Sequence, residues 1–170
     1  LASTSVFQQS TFDGNSIAGA LPNAINLPSG EVIFNIPSTQ KDIWLTQDVS
    51  GDGRIRLISD LFGKTLTLSG AKTFTGGIIQ TSQSLPTGTT GTNLYPSVQI
   101  DNVNSLGTGI FRAQINGTDN TIGFLKSLAD LSGGNGVTND FDIAAGARLI
   151  VDHSSNTNHL KLSGAIPGGG

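Results

Sequence analysis

Short runs in which apolar and polar residues alternate recur along the chain, and each has the pattern of a β-strand. Alternation with a period of two places one face of a strand against a core and the other face in water. We therefore expect an all-β protein. The runs are Val32–Ile36, Ile43–Thr46, Arg54–Leu57, Thr65–Leu68, Ser97–Ile100, Phe111–Ile115, Arg148–Val151 and His159–Leu162.

Turn-forming residues separate these runs. They are clusters of Gly, Asn, Asp and Ser, as in Ser50–Gly53 and Ser132–Gly136, and such residues supply turns and positive φ angles. The strands follow one another at about 8 to 12 residues, a spacing typical of all-β proteins. Ile122–Leu131 alone has apolar residues at helical spacing, which predicts either one short helical turn or a loop over an end of the core.

Internal repetition favours a parallel solenoid over an antiparallel sandwich or barrel. Gly30–Asn35 matches Gly146–Val151, and Ile43–Gly53 matches Leu160–Gly170, both at an offset of about 116 or 117 residues. Each copy reads as a Gly, a strand, a polar loop, a second strand and a turn that ends in Gly-x-Gly. Because the second copy stops at Gly170, the chain is expected to end within a repeat.

One phrase of the sequence is similar to a known repeat. Gly63–Ile79 contains Leu-Thr-Leu-Ser-Gly followed by Ala-Lys-Thr-Phe-Thr-Gly-Gly. The segment resembles the passenger-associated transport repeat, also called the autotransporter-associated β-strand repeat, with Lys72 and Phe74 where that family has Asn and Tyr. Asn104–Gly109 and Leu160–Gly170 are similar to the phrases that flank such a repeat.

The resemblance implies a right-handed parallel β-helix in a secreted or surface-displayed bacterial protein. In a solenoid the short strands of each turn stack on the turns above and below, so core residues form ladders and few charges are tolerated. At about 20 to 24 residues per turn, the chain would form about seven or eight turns. Residues 1–170 are expected to be a single solenoid segment, excised or processed from a longer repeat protein.

Composition narrows the function classes. The chain has no Cys, which excludes zinc ribbons, thiol redox enzymes and disulfide scaffolds. Nine scattered Lys and Arg against twelve Asp and Glu give a net charge of −3, which provides no basic patch for nucleic acid. No apolar run approaches the roughly 18 residues of a membrane-spanning helix, so no membrane insertion by this segment is expected.

One segment has the first half of a calcium loop. Asp48, Ser50 and Asp52, followed by Gly53, match positions 1, 3, 5 and 6 of an EF-hand. Position 12, however, is Ser59 instead of an acid, and the flanking segments read as strands. A turn between solenoid strands is therefore expected here, and no metal or other cofactor is predicted.

Two other groups of residues have the side chains of catalytic sites. Asp140 and Asp142 lie two apart on one face of an extended segment, as paired carboxylates of glycoside hydrolases can. Asp152, His153 and Ser154 have the side-chain types of a catalytic triad, but sequence neighbours do not form a nucleophile–base relay without a fold-back. We expect structural positions for both groups and no enzyme.

Exposed-face patterns offer two further interpretations. The pairs Thr65/Thr67 and Thr73/Thr75 are similar to the Thr ladders of ice-binding solenoids, but two pairs inside the recognised repeat favour structural Thr on solvated strands. Trp44 lies in an apolar strand and is expected to be a core residue instead of a sugar platform.

Three functions are weighed. The first is a non-catalytic extracellular module, structural or adhesive, of a bacterial surface or secreted protein, with glycans or proteins of a host or surface as partners. The second is a fibre subunit that stacks on itself, its last turn (Leu160–Gly170) pairing with the first strand (Ser5–Phe12) of a neighbour. The third is a carbohydrate-active solenoid enzyme that uses Asp140 and Asp142.

Overall fold

The structure, a computed structural model, describes residues 3–8, 19–21, 23–36, 42–59, 64–82, 96–114, 122–153 and 157–167. Within these ranges the chain forms β-strands and no helix. The strands are β1 (Ser3–Gln8), β2 (Gly19–Leu21), β3 (Ile25–Leu27), β4 (Gly30–Ile36), β5 (Ile43–Leu45), β6 (Val49–Gly51), β7 (Arg54–Ser59), β8 (Thr65–Leu68), β9 (Ile78–Ser82), β10 (Ser97–Ile100), β11 (Phe111–Gln114), β12 (Ile122–Ser127), β13 (Phe141–Ile143) and β14 (Arg148–His153).

The described strands form three sheets. Sheet 1 has the order β1-β4-β7-β9-β11-β13, sheet 2 has the order β14-β12-β10-β8-β5-β2, and sheet 3 contains β3 and β6. Every pairing between these strands is parallel. Since the chain visits sheet 1 and sheet 2 alternately, each pass adds one strand to each sheet. This arrangement is a parallel β-solenoid, as the sequence predicts.

The third side of the solenoid continues beyond sheet 3 through single main-chain hydrogen bonds. Thr73 N–H donates to Val49 O at 2.9 Å, and Thr75 N–H donates to Gly51 O at 3.0 Å. The predicted seven or eight turns are not confirmed, because sheets 1 and 2 each contain six strands within the described residues.

The length of a turn is constant over two successive steps of the sheet 1 ladder and longer before and after them, the step before them being that from Ser5 to Val32. Val32 pairs with Ile55 and Ile55 pairs with Ile78, so these two successive steps along the ladder have the same length. Ile78 then pairs with Phe111, which is a longer step. Extra residues in a connecting loop cost little free energy, so the ladder keeps its register across turns of unequal length.

The core consists of rows of apolar side chains that successive strands contribute at equivalent positions. Burial of each such side chain contributes roughly 1.5–3 kcal/mol. The row in sheet 1 is Val32, Ile55, Ile78, Phe111 and Phe141, none more than 8% exposed. The row in sheet 2 is Ile43, Leu66, Val98 and Leu125, none more than 1% exposed.

The prediction of a helical turn within Ile122–Leu131 is wrong. Ile122–Ser127 forms β12, and the chain then turns before Leu131 bridges to Leu160 in parallel. Gly123, Leu125 and Ser127 are its buried positions. Because two of these three residues are small, the strand alternation is hidden in the sequence, and the following leucines imitate a helical period.

The long-range repeat found in the sequence is not a structural repeat. Gly30–Ile36 is a strand of sheet 1, whereas Arg148–His153 lies in sheet 2. Similarly, Ile43–Leu45 lies in sheet 2, whereas Leu160 bridges to Leu131 on the third side. A Gly shortly before an alternating strand occurs in both sheet 1 and sheet 2, as at Gly53 and Gly146, so the matched segments share a local pattern and occupy different sides.

Two residues of Gly63–Ile79, the segment that resembles the autotransporter-associated repeat, have clear structural roles. Phe74 follows β8 of sheet 2 and precedes β9 of sheet 1 in the chain, and its side chain is fully buried. Gly77 has φ of 80°, and a Cβ atom there would lie 2.2 Å from Ile110 O on the next turn. Only Gly therefore permits both this left-handed backbone and the close approach of two turns.

Candidate functional site

The calcium-like segment does not gather ligands. Val49–Gly51 is strand β6, so Asp48 and Asp52 lie at opposite ends of a strand. Asp52 Oδ1 accepts a hydrogen bond from Thr75 Oγ1 at 3.3 Å. Within the described ranges no three His, Cys, Asp or Glu side chains are grouped to hold a metal ion.

The two paired carboxylates are exposed and bonded to different partners. Asp140 Oδ1 accepts from Ala165 N–H at 2.8 Å, which joins two turns of the third side. Asp142 Oδ2 lies 3.3 Å from Arg112 Nε on the neighbouring strand. Neither contact places a carboxylate in an enclosed cleft.

The triad-like group is part of an edge strand. Asp152 and His153 are consecutive residues of β14, so their side chains leave opposite faces of the strand. Asp152 Oδ1 accepts a hydrogen bond from the main-chain N–H of His153 at 2.8 Å. Ser154 lies outside the described residues.

Ion pairs occupy the outer face of sheet 1. Arg56 binds Glu31 through two hydrogen bonds of 2.7 and 3.0 Å, and Arg54 lies 3.5 Å from the same carboxylate. Ile79 lies between Arg56 and Arg112 in the ladder and is only 2% exposed. Since long Arg side chains cover apolar surface with their stems, this face is closed by paired charges.

Lys72 is buried in the segment that connects β8 to β9. Only 4% of the residue is exposed, and its ammonium donates to Gln47 O at 2.7 Å and to Ser69 O. Desolvation lowers the pKa of Lys72, and the nearby charges of Asp48 and Asp101 oppose that effect. Where the resembled repeat has Asn, the longer Lys therefore reaches the main chain of the preceding turn.

The outer face of sheet 2 differs from that of sheet 1 because it presents aromatic side chains. Trp44 is 38% exposed, so its predicted place in the core is wrong. Its indole N–H donates to Ser69 Oγ at 2.9 Å, which orients the ring over the outer face. Phe124 is half-buried on the same face, with the Lys126 ammonium 5.3 Å from the ring centroid.

Two rows of side chains run across this outer face, perpendicular to the strands. Sequence reasoning missed most of them, although the alternation of β10 marks Ser97 and Gln99 as outward. The first row is Trp44, Thr67, Gln99, Lys126 and Asp152. The second row is Thr65, Ser97, Phe124 and Ile150.

The Thr pairs do not form an exposed ladder. Thr65 and Thr67 are 8% and 6% exposed, and the Thr67 hydroxyl donates to Gln99 Oε1 at 3.4 Å. The expected solvation of these two strand residues is therefore wrong. Thr73 and Thr75 are exposed on a different side of the solenoid.

An unpaired edge lies at β14. No described strand pairs with β14 on the side opposite β12. Val151 continues the inner row of Val98 and Leu125, yet it is 43% exposed, whereas those two residues are fully buried. The edge therefore presents both main-chain groups and an uncovered core position.

Comparison of the chain with protein-family models, curated proteins and solved structures finds no match. Among the described residues no helix has the length and apolar character needed to cross a membrane.

Proposed function

We propose that the chain is a non-catalytic β-solenoid module of a bacterial secreted or surface protein, where it serves a structural or adhesive role. The parallel ladder of sheets 1 and 2 carries this proposal. A solenoid becomes longer as turns are added to the stack, so it forms an elongated body that can project or connect other regions of a protein. Its surface then supplies long faces for contact.

Two sequence features support an extracellular location. Gly63–Ile79 resembles a repeat of autotransporter passengers, and the chain contains no Cys. A chain without Cys passes an export channel unfolded without forming a premature disulfide. The charged residues of sheet 1 are paired across turns. Such pairing gives a polar, water-compatible surface with little net charge and therefore a weak electrostatic field.

The location is tested on intact cells of the producing bacterium with an antiserum against the purified protein. We expect intact cells or the culture medium to be labelled, and external protease to remove the cell-bound signal. Labelling that appears only after lysis, together with protease resistance in intact cells, would overturn the extracellular role.

The contacts of Asp140 and Asp142 support the non-catalytic part of the proposal, because each carboxylate is exposed and is bonded to a residue of another turn. A polysaccharide panel tests this point through the release of reducing ends. We expect none above the buffer control. Release that disappears in the double variant Asp140→Asn, Asp142→Asn would instead assign a glycoside hydrolase.

The exposure of Val151 favours a second candidate function, a subunit that stacks end to end. In such a stack a second copy adds its first strands to the edges of β13 and β14, which is a heterologous contact that generates filaments. Of the strand predicted to accept the last turn, Ser5–Phe12, residues Ser5–Gln8 belong to β1, the terminal strand of sheet 1, and Phe12 lies outside the described residues. The predicted donor segment, Leu160–Gly170, instead has Leu160 and Leu162 bridged on the third side of the solenoid.

Electron microscopy of the purified protein over a range of concentrations tests stacking. We expect filaments that shorten in Val151→Asp, because a buried, unpaired carboxylate in the contact is costly. Ile150→Asp is the matched control, since Ile150 is 40% exposed on the same strand but lies in an outer row. Monodisperse particles at every concentration would remove this candidate.

A further inference from the structure

Asn135 lies at an exposed position in a loop on the third side of the solenoid. The loop, Ser132–Gly136, connects two residues that bridge in parallel to the last turn, Leu131 and Val137. Within the part of the chain that the structure describes, the side-chain amide of Asn135 has no hydrogen-bond partner. This amide therefore faces solvent without a contact that fixes its orientation.

We propose that Asn135 is a site of spontaneous deamidation, which converts it into Asp or isoaspartate. Hydroxide removes the proton of the Gly136 main-chain nitrogen, and this nitrogen attacks the side-chain carbonyl carbon, Cγ, of Asn135. The bond from Cγ to the side-chain nitrogen breaks, and that nitrogen takes a proton from water and leaves as ammonia. Water then opens the succinimide ring at either carbonyl group. The reaction needs no oxidant, reductant or cofactor, and it does not depend on the proposed extracellular role.

The residue that supplies the attacking nitrogen favours the reaction. Gly136 has no side chain to obstruct the approach of its nitrogen to Cγ, and Gly has the widest choice of backbone angles. The N–H group of Gly136 donates to Gly133 O at 3.2 Å, which is the long end of the hydrogen-bond range. The nitrogen is therefore held only weakly in its present position.

The loop before Asn135 also has room to change its conformation. Gly133 and Gly134 precede Asn135, and a Cβ atom added to either would meet nothing within 4 Å. The chain can therefore rotate about these residues without displacing a neighbouring turn. An intramolecular attack is fast when the reacting atoms reach contact in the correct orientation, and this open loop permits that approach.

Asn139, on the same side of the solenoid, has the opposite surroundings. It is 5% exposed, and its side-chain nitrogen donates to Gly107 O at 3.1 Å and to Gly109 O at 2.7 Å. Deamidation would remove this nitrogen and with it both hydrogen bonds to the preceding turn. The folded structure therefore protects Asn139, whereas it leaves Asn135 open to reaction.

Deamidation would change the contacts between the last two turns. The Lys161 ammonium donates to Gly134 O at 2.8 Å, so a cation lies close to the position of the new carboxylate. The Ser163 hydroxyl donates to the main-chain oxygen of Asn135. In isoaspartate the main chain gains a methylene group, which displaces this oxygen. We expect the Ser163 contact to be lost in that form, while the loop accommodates the extra atom at little cost.

Peptide mapping by mass spectrometry tests the site in the folded wild-type protein, incubated for several days at pH 8 and 37 °C in water enriched in heavy oxygen. We expect the peptide with Asn135 to yield Asp and isoaspartate forms that carry the heavy oxygen. Asn116, which also precedes a Gly and lies outside the described residues, is mapped separately. Absence of both products at Asn135 would overturn the inference.

A matched control separates the surroundings of the Asn from its sequence. Asp140→Gly places a Gly after Asn139, so the variant contains two Asn-Gly pairs on the third side, one open and one buried. In the folded variant we expect Asn139 to react at least about tenfold more slowly than Asn135, because reaction there needs local opening. In urea the two rates should be similar.

Two results would contradict the proposal. One is an equal rate at Asn135 and Asn139 in the folded Asp140→Gly variant. The other is a wild-type protein in which Asn135 reacts in urea and is stable when folded, since the folded loop would then hold the amide away from the nitrogen. Asn135→Gln is expected to remove the products at this position and to leave far-UV circular dichroism unchanged. Should Asp140→Gly not fold, the wild-type comparison with and without urea still decides.

Discussion

Lys72 connects three successive turns of the solenoid through one residue. Its ammonium donates to Gln47 O and Ser69 O, and its main-chain N–H donates to Asn104 O at 3.0 Å. Without the ammonium, the two carbonyl groups would lose a buried donor. Each buried polar group that is left without a partner costs about 1–3 kcal/mol.

Lys72→Met is therefore expected to lower the free energy of unfolding by about 1–3 kcal/mol at pH 7. Lys161→Met is the matched control, because the Lys161 ammonium also donates to a carbonyl, Gly134 O, but at an exposed position. Urea unfolding of both variants measures the difference. Equal losses would show that burial of Lys72 adds nothing.

The same burial sets a pH dependence. Desolvation lowers the pKa of Lys72 below its ordinary value of 10.5, so between the two values the unfolded chain binds more protons than the folded one. The stability of the wild type should therefore rise, relative to Lys72→Met, as the pH increases through this alkaline window. Urea unfolding from pH 8 to 11 checks the sign, and a constant difference would contradict it.

Substitution of two Gly residues with similar positive φ distinguishes the free-energy cost of backbone strain from that of a steric clash. Gly70 has φ of 75° and open space around its missing Cβ, whereas a Cβ at Gly77 would lie 2.2 Å from Ile110 O. Gly70→Ala should cost about 1–2 kcal/mol from the left-handed backbone alone. Gly77→Ala should cost at least about 1 kcal/mol more, because the next turn must move. Equal free energies of unfolding would refute the contact argument.

At the level of the element, β12 shows how a strand can look helical in sequence. Leu125 is fully buried in the inner row of sheet 2, whereas Leu128 follows the strand and is half-buried. Leu125→Ala should therefore cost about 2–5 kcal/mol and Leu128→Ala clearly less. A helix would place both leucines on one face. Similar losses in chemical denaturation would restore the helical interpretation.

Sequence patterns predict the elements best where large apolar residues occupy every inward position. In β7, Ile55 and Leu57 alternate with Arg, and the alternation predicts the strand. In β9 the same rule fails, because Gln80 is the fully buried residue and Ile79 points outward between two Arg. The side-chain amide nitrogen of Gln80 donates to Pro96 O and Phe124 O, which are contacts that only the folded chain provides, whereas its Oε1 is buried without a hydrogen-bond partner among the described residues.

The surface features are less predictable than the strands, for a similar reason. Trp44 stands between two core residues in sequence, so its hydrophobicity argues for burial. Its exposure follows from the strict alternation of β5, in which Ile43 and Leu45 are the buried residues, and Phe124 of the distant strand β12 lies on the same outer face. The register between successive turns brings the two rings to one face. That register is not predictable from a single sequence.

For the whole molecule, the ladder implies that a complete turn is a removable unit. Deletion of residues 54–76 joins Gly53 to Gly77 and shortens the chain by one full step of the ladder, the step from Ile55 to Ile78. Every remaining strand then keeps its side and its inward residues, with Val32 taking Ile78 as its neighbour. Stability is expected to fall by the contribution of one turn, since solenoid stabilities are sums over turns and their contacts.

A shorter deletion is the control and should be more harmful. Removal of residues 54–64 takes away β7 but keeps β8, so the chain would pass from sheet 3 directly to sheet 2 and leave a gap in sheet 1. Far-UV circular dichroism and urea unfolding of both proteins give the comparison. We expect cooperative unfolding for the full-turn deletion and its loss for the partial one. The opposite order would mean that local sequence, and not stacking register, determines the fold.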